Sequence, residues 1–256
     1  MHPGQKLKPG ARLVFEDADR APGVRIRATV HDRLFFGRRI VSLEAEGTGT
    51  TDEAVDRLGH VPLPPYIHRD DSDADRARYQ TVFARTRGSV AAPTAGLHFT
   101  AESIERFRAA GITWATITHH VGYGTFKPVR VDRVEDHTVD PERYDIGIEA
   151  AEAMNRARGA GRRVVAVGTT TTRALESAAT ADGTIRPGRA ATDLFIYPGY
   201  TFRAVDALVT NFHLPRSSLL MLVAAFAGRD LVLDAYRHAI AAEFHFYSYG
   251  DMMVVV

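Results

Sequence analysis

The sequence predicts an α/β protein: a mostly parallel sheet covered by helices in three layers, with an antiparallel, strand-rich piece at its N-terminal end. Toward the C-terminus at least four short apolar runs alternate with helical segments, the strand–helix repeat that builds covered parallel sheets. Residues 1–45 instead show short bursts with period-two alternation, as half-buried antiparallel strands do. The stretch ALVTNFHLPRSSLLMLVAAFAG, residues 207–228, sets a polar knot between two apolar runs. That is the pattern of a buried strand, a tight turn and a buried helix at the carboxyl edge of such a sheet.

In chain order, ARLVF, VRIRATV and RLFFGRRIVSLEA give three or four antiparallel strands, punctuated by Pro9-Gly10 and Pro22-Gly23. The small polar stretch 47–51 is a boundary signal, and a division into residues 1–56 and 57–256 is expected. A short helix over 52–58 leads into GHVPLPPYI, whose prolines forbid a regular ladder. Residues 68–87 are densely charged and read first as a solvated loop and helix, although Arg76, Arg78, Arg85 and Arg87 suit phosphates. Residues 101–110 form a helix capped by Thr100 and ended by Gly111. A strand is expected over 112–118, an acidic loop over 132–144, a helix over 150–159 and a buried strand over 163–167. A strand over 192–200, an amphipathic helix over 230–244 and a last strand over 246–256 complete the chain.

Composition narrows the function classes. A length of 256 residues allows one to two domains with a real core, and a net charge of +1 announces no nucleic-acid partner by global electrostatics. The absence of cysteine excludes disulfides, cysteine zinc sites and thiol nucleophiles. MHPGQKLKPG lacks the apolar core of a secretory signal, and the most apolar helix candidate, 217–228, is too short for a bilayer. A soluble, cytoplasmic protein with no membrane association is expected.

Three stretches carry polar groups where strands end. GSVAAPTAGLHFT, residues 88–100, mixes small residues that permit close backbone approach with Thr94, His98 and Thr100. HHVGYGTFKPV places His119, His120, Gly122, Gly124 and Thr125 together. Adjacent histidines point to opposite faces of an extended chain, so no metal site is expected there. In RVVAVGTTTTRALESAA, a strand, Gly168 and four threonines open a helix. The free N–H groups and positive dipole end of that helix suit a carboxylate or phosphate, against the plainer alternative of ordinary threonine capping.

These stretches together with YQTVFA, VEDH, TDLFIYPGY and FYSYGDMM resemble the S-adenosylmethionine:tRNA ribosyltransferase-isomerases of queuosine biosynthesis, collinearly from about residue 59 to 256. The resemblance implies an α/β domain carrying an inserted small barrel, which makes the antiparallel N-terminal piece a partial, β-barrel-like domain, with further main-domain and barrel segments and an Asn-Asn-Thr-Arg motif ahead of residue 1. It implies transfer and isomerisation of the ribosyl unit of S-adenosylmethionine onto 7-aminomethyl-7-deazaguanine in the tRNA anticodon loop, giving epoxyqueuosine, adenine and methionine. S-adenosylmethionine is then a substrate, with no prosthetic group and no metal, in a monomer or homodimer. His213 and His98 are the candidates for proton transfer, because histidine titrates near working pH. Thr169 and Thr170 suit the methionine carboxylate, and Asn211, Thr94 and Thr125 the sugar or base. Tyr197 suits stacking on a base. Arg173 suits a carboxylate or phosphate, with pairing to Glu176 across its helix as the structural alternative. Gly96, His120, Gly122, Gly124, Gly168 and Glu176 complete the expected substrate-binding set. Departures from the family pattern are Arg216 for Glu after HLP, Val139-Asp140 for Met-His after EDH, and Thr171-Thr172 for Ser-Val. They leave a second possibility, a non-catalytic tRNA- or nucleoside-binding remnant or a paralogue with another acceptor.

Overall fold

The period-two pattern at the start becomes an antiparallel sheet of β1 (Arg12–Glu16), β2 (Arg25–Arg33) and β3 (Arg39–Glu46), in the order β1-β2-β3. This computed structural model describes residues 7–34, 39–122, 124 and 128–256. Ile26, Ala28 and Val30 of β2 turn inward, while Arg25 and Arg27 pair across the other face with Glu16 and Glu46. Helix α1 (Thr51–Leu58) begins with a capping box between Thr50 and Glu53, and buries Ala54 and Leu58 against Ala21, Val24 and Ile26. Gly47 holds two turns together: at φ +80° its Cβ would stand 2.0 Å from the carbonyl oxygen of Gly23. The three strands form an open sheet rather than a closed barrel. The chain divides into two compact units at this point, Met1–Val61 and Pro62–Val256.

The second unit is a mixed α/β body, and here the structure corrects the expected parallel sheet. Its strands form two three-stranded sheets. One is wholly antiparallel: β4 (Thr118–His120), β5 (Glu142–Ile146) and β7 (Gly188–Thr192). The other contains β6 (Val165–Val167), β8 (Ala207–Asn211) and β9 (Met252–Val255). Strands β6 and β8 are parallel, whereas β9 returns antiparallel on the far side of β8. That pair is the parallel pairing among the described residues. Charge concealed β5, which begins inside the expected acidic loop and runs two residues past it; its Glu142, Tyr144 and Ile146 alternate inward. The expected strand at 112–118 joins a ladder only at its end, and the one at 192–200 is a ladder upstream, in β7.

Helices α2 (Asp73–Arg78), α3 (Ala101–Ala109), α4 (Ile148–Gly159), α5 (Thr169–Ala178), α6 (Ser218–Ala227) and α7 (Arg229–Ala241) complete this unit. Its core centres on β8, all five of whose residues are buried, with Ile146, Ile185, Ile196, Leu222 and Val223 around it. Among the described residues, no helix is long and apolar enough to cross a membrane.

Helix α5 lies in the interior, so its charged residues need internal partners. Arg173 is joined to Glu142 of β5, both side chains being 7% exposed. The carboxylate of Glu176 accepts the N–H groups of Arg203, Ala204 and Val205 at 2.9, 3.0 and 3.0 Å, and the Tyr200 hydroxyl at 3.2 Å. Glu176 therefore serves as the hydrogen-bond partner of a loop that no ladder pairs. Glu176→Ala strands these donors in the interior and is expected to lower unfolding free energy by about 3 kcal/mol or more in urea titration. A loss within about 1 kcal/mol would show that water replaces the carboxylate.

Candidate active site

The parallel pairing of β6 and β8 brings the carboxyl ends of both strands to one edge, and the Gly168 N–H donates to the Val209 carbonyl at 2.8 Å. Gly168, at φ +93°, turns the chain directly into α5. Thr169, Thr170 and Thr171 occupy the first turn of that helix, whose N–H groups have no intrahelical acceptor. No acidic side chain sits in this turn, so the positive end of the dipole is open to a ligand anion. The threonines thus begin the helix itself rather than a loop before it.

On the β8 side, Pro215 interrupts the chain after Leu214, and Ser217 caps α6 by accepting the Leu220 N–H at 3.2 Å while its own hydroxyl donates to the Leu214 carbonyl at 2.7 Å. Arg216, exposed at φ +55°, takes the left-handed conformation in this turn. Between the two strand ends lies a cavity of about 330 Å³. The 92–95 segment, the 210–215 knot, the α5 start, Tyr66, Tyr247 and Ser248 form most of its wall. None of its described lining residues is Asp, Glu, Lys or Arg.

Hydrogen bonds orient the polar wall. The Thr94 hydroxyl donates to Asn211 Oδ1 at 3.1 Å, which turns the Asn211 amide nitrogen toward His98 Nε2, 3.0 Å away. His98 therefore accepts through Nε2 and carries its proton on Nδ1. Burial lowers the pKa of His98, against an opposing pull from Asp251. His98 is not part of the cavity wall; it meets the cavity through Asn211. His213 is in the wall, with Nε2 2.7 Å from Thr210 Oγ1 and its backbone N–H donating to the Tyr236 hydroxyl at 2.7 Å. Burial pushes the His213 imidazole down to about 4, so it is neutral at pH 7.

A further part of the wall comes from the C-terminal turn. Tyr247, at φ +73°, is held by donation of its N–H to the Phe212 carbonyl at 3.0 Å. Ser248 is hydrogen-bonded to the Tyr66 hydroxyl. Behind them Tyr249 donates to Asp75 at 2.8 Å. Asp75 also takes Arg69 through both oxygens at 2.7 and 2.8 Å, and the N–H and hydroxyl of Ser72, each at 2.8 Å. Arg69 first, then Ser72, holds this carboxyl well below the usual carboxylate range. The turn is therefore braced from behind by a saturated, 3% exposed anion.

Of the residues singled out in the sequence, Thr94, Gly168, Thr169, Thr170, Asn211 and His213 meet around this one cavity. Gly96 instead packs on Thr81 and Phe83. His120 lies over Gly88, and Gly124 against the Asp140 carboxylate. Gly122 is exposed, and Thr125 lies outside the described residues. Tyr197 rests on Phe195, ring centroids 5.2 Å apart, away from the cavity wall. Arg173 and Glu176 are partnered behind α5, each with a residue other than the other. Missed were Tyr66, Thr171, Thr210, Tyr247 and Ser248; the hydroxyl-rich FYSYG around a glycine was the available signal for the last two. Among the described residues no group of three or more His, Cys, Asp or Glu side chains is arranged to hold a metal ion.

Comparison with known proteins bears on what this cavity serves. Residues 1–255 match the family described as Queuosine biosynthesis protein. The S-adenosylmethionine:tRNA ribosyltransferase-isomerase of Solibacter usitatus is 54% identical over 256 residues, covering 100% of this chain and 68% of the relative. That of Symbiobacterium thermophilum is 51% identical over 254 residues, covering 99% and 72%. The corresponding protein of Geobacter sulfurreducens is 59% identical over 203 residues, 79% of this chain and 59% of its own length. The crystal structure of an S-adenosylmethionine tRNA ribosyltransferase from Thermotoga maritima superposes with a TM-score of 0.52 at 35% identity, covering 99% of this chain and 68% of that one. With residues 1–255 of this chain matched by the family and its relatives about half identical, the chain belongs to the queuosine biosynthesis protein family.

Proposed function

We propose that this chain is an S-adenosylmethionine:tRNA ribosyltransferase-isomerase. It transfers and isomerises the ribosyl unit of S-adenosylmethionine onto 7-aminomethyl-7-deazaguanine in tRNA, giving epoxyqueuosine and releasing adenine and methionine. The observation that carries this proposal is a cavity whose described lining residues include no charged side chain, set between a helix N-terminus and a neutral histidine, in a chain with relatives so named. We assign the chemistry to the second unit and the tRNA acceptor to the anticodon wobble position.

The ligand's charges suit such a site. The methionyl carboxylate is received by the free N–H groups at the start of α5, with Thr169 and Thr170 beside it. The sulfonium makes the ribose C5′–H acidic. His213 takes that proton; ring opening with loss of adenine leaves a vinyl sulfonium and an aldehyde, and the proton passes to the departing adenine. A group titrating at about 4 is a weak base but, once protonated, a strong acid, so it does not retain the proton. The tRNA amine adds to the vinyl carbon, and the regenerated ylide closes on the aldehyde to a cyclopentane alkoxide. That alkoxide displaces methionine and forms the epoxide. Asn211 has one amide hydrogen beyond the one directed at His98, and this donor is available to the ribose hydroxyls or the alkoxide. The Tyr66–Ser248 hydroxyl pair lines the same cavity.

Incubation of the purified chain with S-adenosylmethionine and precursor tRNA is expected to release adenine and methionine in equal amounts by liquid chromatography. Binding of both substrates without adenine release would instead support a non-catalytic remnant. His213→Ala is expected to cut turnover by about 10²-fold or more with substrate binding retained. Near-normal turnover would remove His213 from the chemistry.

The same histidine makes a prediction about pH. Its folded pKa of about 4 lies below the unfolded value of about 6.5, so protons bind the unfolded chain more readily. Stability is fully present above pH ~6.5 and declines as pH falls toward 4, by about 3 kcal/mol from this group. Urea midpoints of the wild type and His213→Gln at neutral and acid pH should diverge in that window, the variant losing less. Parallel pH profiles would contradict the depressed value.

A further inference from the structure

His119, on β4, stands against the outside of the α5 first turn with its Nε2 3.3 Å from Thr171 Oγ1. Its other ring nitrogen, Nδ1, is buried and has no hydrogen-bond partner among the described residues. The nearby Arg173 guanidinium is tied to Glu142, and its Nε–H is likewise buried without a partner. Burial first, then the charge of Arg173 and the neighbouring His120, pushes His119 down to about 4, so the ring is neutral in the working range.

A neutral imidazole has two tautomers, and these surroundings choose between them. With the proton on Nδ1, a second donor would be buried without an acceptor beside a cation. With the proton on Nε2, the buried atom is a lone pair near a guanidinium, which the cation stabilises. The Nε2–H then donates to Thr171 Oγ1 and occupies that oxygen as an acceptor. The Thr171 hydroxyl proton has no acceptor on that side, and Thr171 lines the cavity.

We propose that His119 is a positioning residue that turns the Thr171 hydroxyl into the cavity as a donor to the carboxylate of the bound sulfonium substrate. This rests on S-adenosylmethionine occupying the cavity, and it adds a specificity device to that site. The N–H groups of the α5 first turn attract any anion, whereas a hydroxyl with a fixed direction selects a carboxylate at one distance and angle. The Arg173–Glu142 pair contributes by setting the tautomer from behind, without touching the ligand.

The test compares binding of S-adenosylmethionine with that of its decarboxylated sulfonium analogue by titration calorimetry. The wild type is expected to favour the carboxylated ligand by about tenfold or more. Thr171→Val and His119→Asn should each remove most of that preference while leaving affinity for the analogue within about twofold. Combining them should add little further loss, because both remove one hydrogen bond. His119→Gln, whose amide nitrogen reaches the place of Nε2, should retain the preference and guards against a mere folding defect in His119→Asn. Wild-type discrimination in His119→Asn, or equal loss of affinity for both ligands in both His119 variants, would overturn the positioning role. Failure of the wild type itself to bind the carboxylated ligand more tightly would overturn the placement of that substrate, and with it this proposal.

Discussion

The site depends on the parallel contact between β6 and β8, fastened at its end by the Gly168 N–H on the Val209 carbonyl. Parallel pairing makes the two strands end together, so the segments that leave them meet at one edge. Strand β6 runs into the bare start of a helix, and β8 ends at Asn211 and passes into Phe212 and His213. Had these strands been antiparallel, the bare helix start and the histidine would lie at opposite edges. Gly168 makes the junction possible, because a turn at φ +93° straight from strand into helix is strained for a residue with a side chain.

Around this edge the protein separates its charges from its ligand groups. Three buried carboxylates near the cavity are consumed in bracing: Glu176 holds the 203–205 backbone, Glu142 holds Arg173, and Asp75 gathers Arg69, Ser72 and Tyr249. The wall itself offers hydroxyls, an amide, a neutral imidazole and backbone N–H groups. Among the described lining residues no fixed charge would compete with the sulfonium or the carboxylate of the proposed substrate, and the helix dipole favours the carboxylate at the start of α5. The fixed dipoles are oriented before any ligand arrives, Thr94 and Asn211 of the wall with His98 behind them, and Tyr66 with Ser248.

How much of this is legible in the sequence depends on how local each signal is. The turns after β6 and β8 are legible because glycine, proline and a row of hydroxyls act within a few residues of themselves. The partners of Arg173 and Glu176 are not, since Glu142 and the 203–205 backbone are distant in sequence and no periodicity marks them. Both residues have the chemistry of ligand groups and are internal braces in the fold. Strand β5 is hidden because Glu142 and Asp145 give it a loop-like composition, although its inward positions form part of the core. For the histidine pair, alternation announces opposite faces but does not say which one meets α5; His120 was the expected ligand group, and it is His119 that reaches Thr171. The expected parallel sheet fails for a similar reason, because strand–helix alternation fixes order along the chain and not the direction in which β9 returns.

The most direct measurement is a crystal structure of the chain with S-adenosylmethionine bound. The methionyl carboxylate is expected at the N–H groups of Thr169 to Thr171, with the ribose C5′ facing His213 within the cavity of about 330 Å³. Density for the ligand elsewhere, such as the second depression around Arg186 and Arg189, or a carboxylate pointing away from α5, would contradict it.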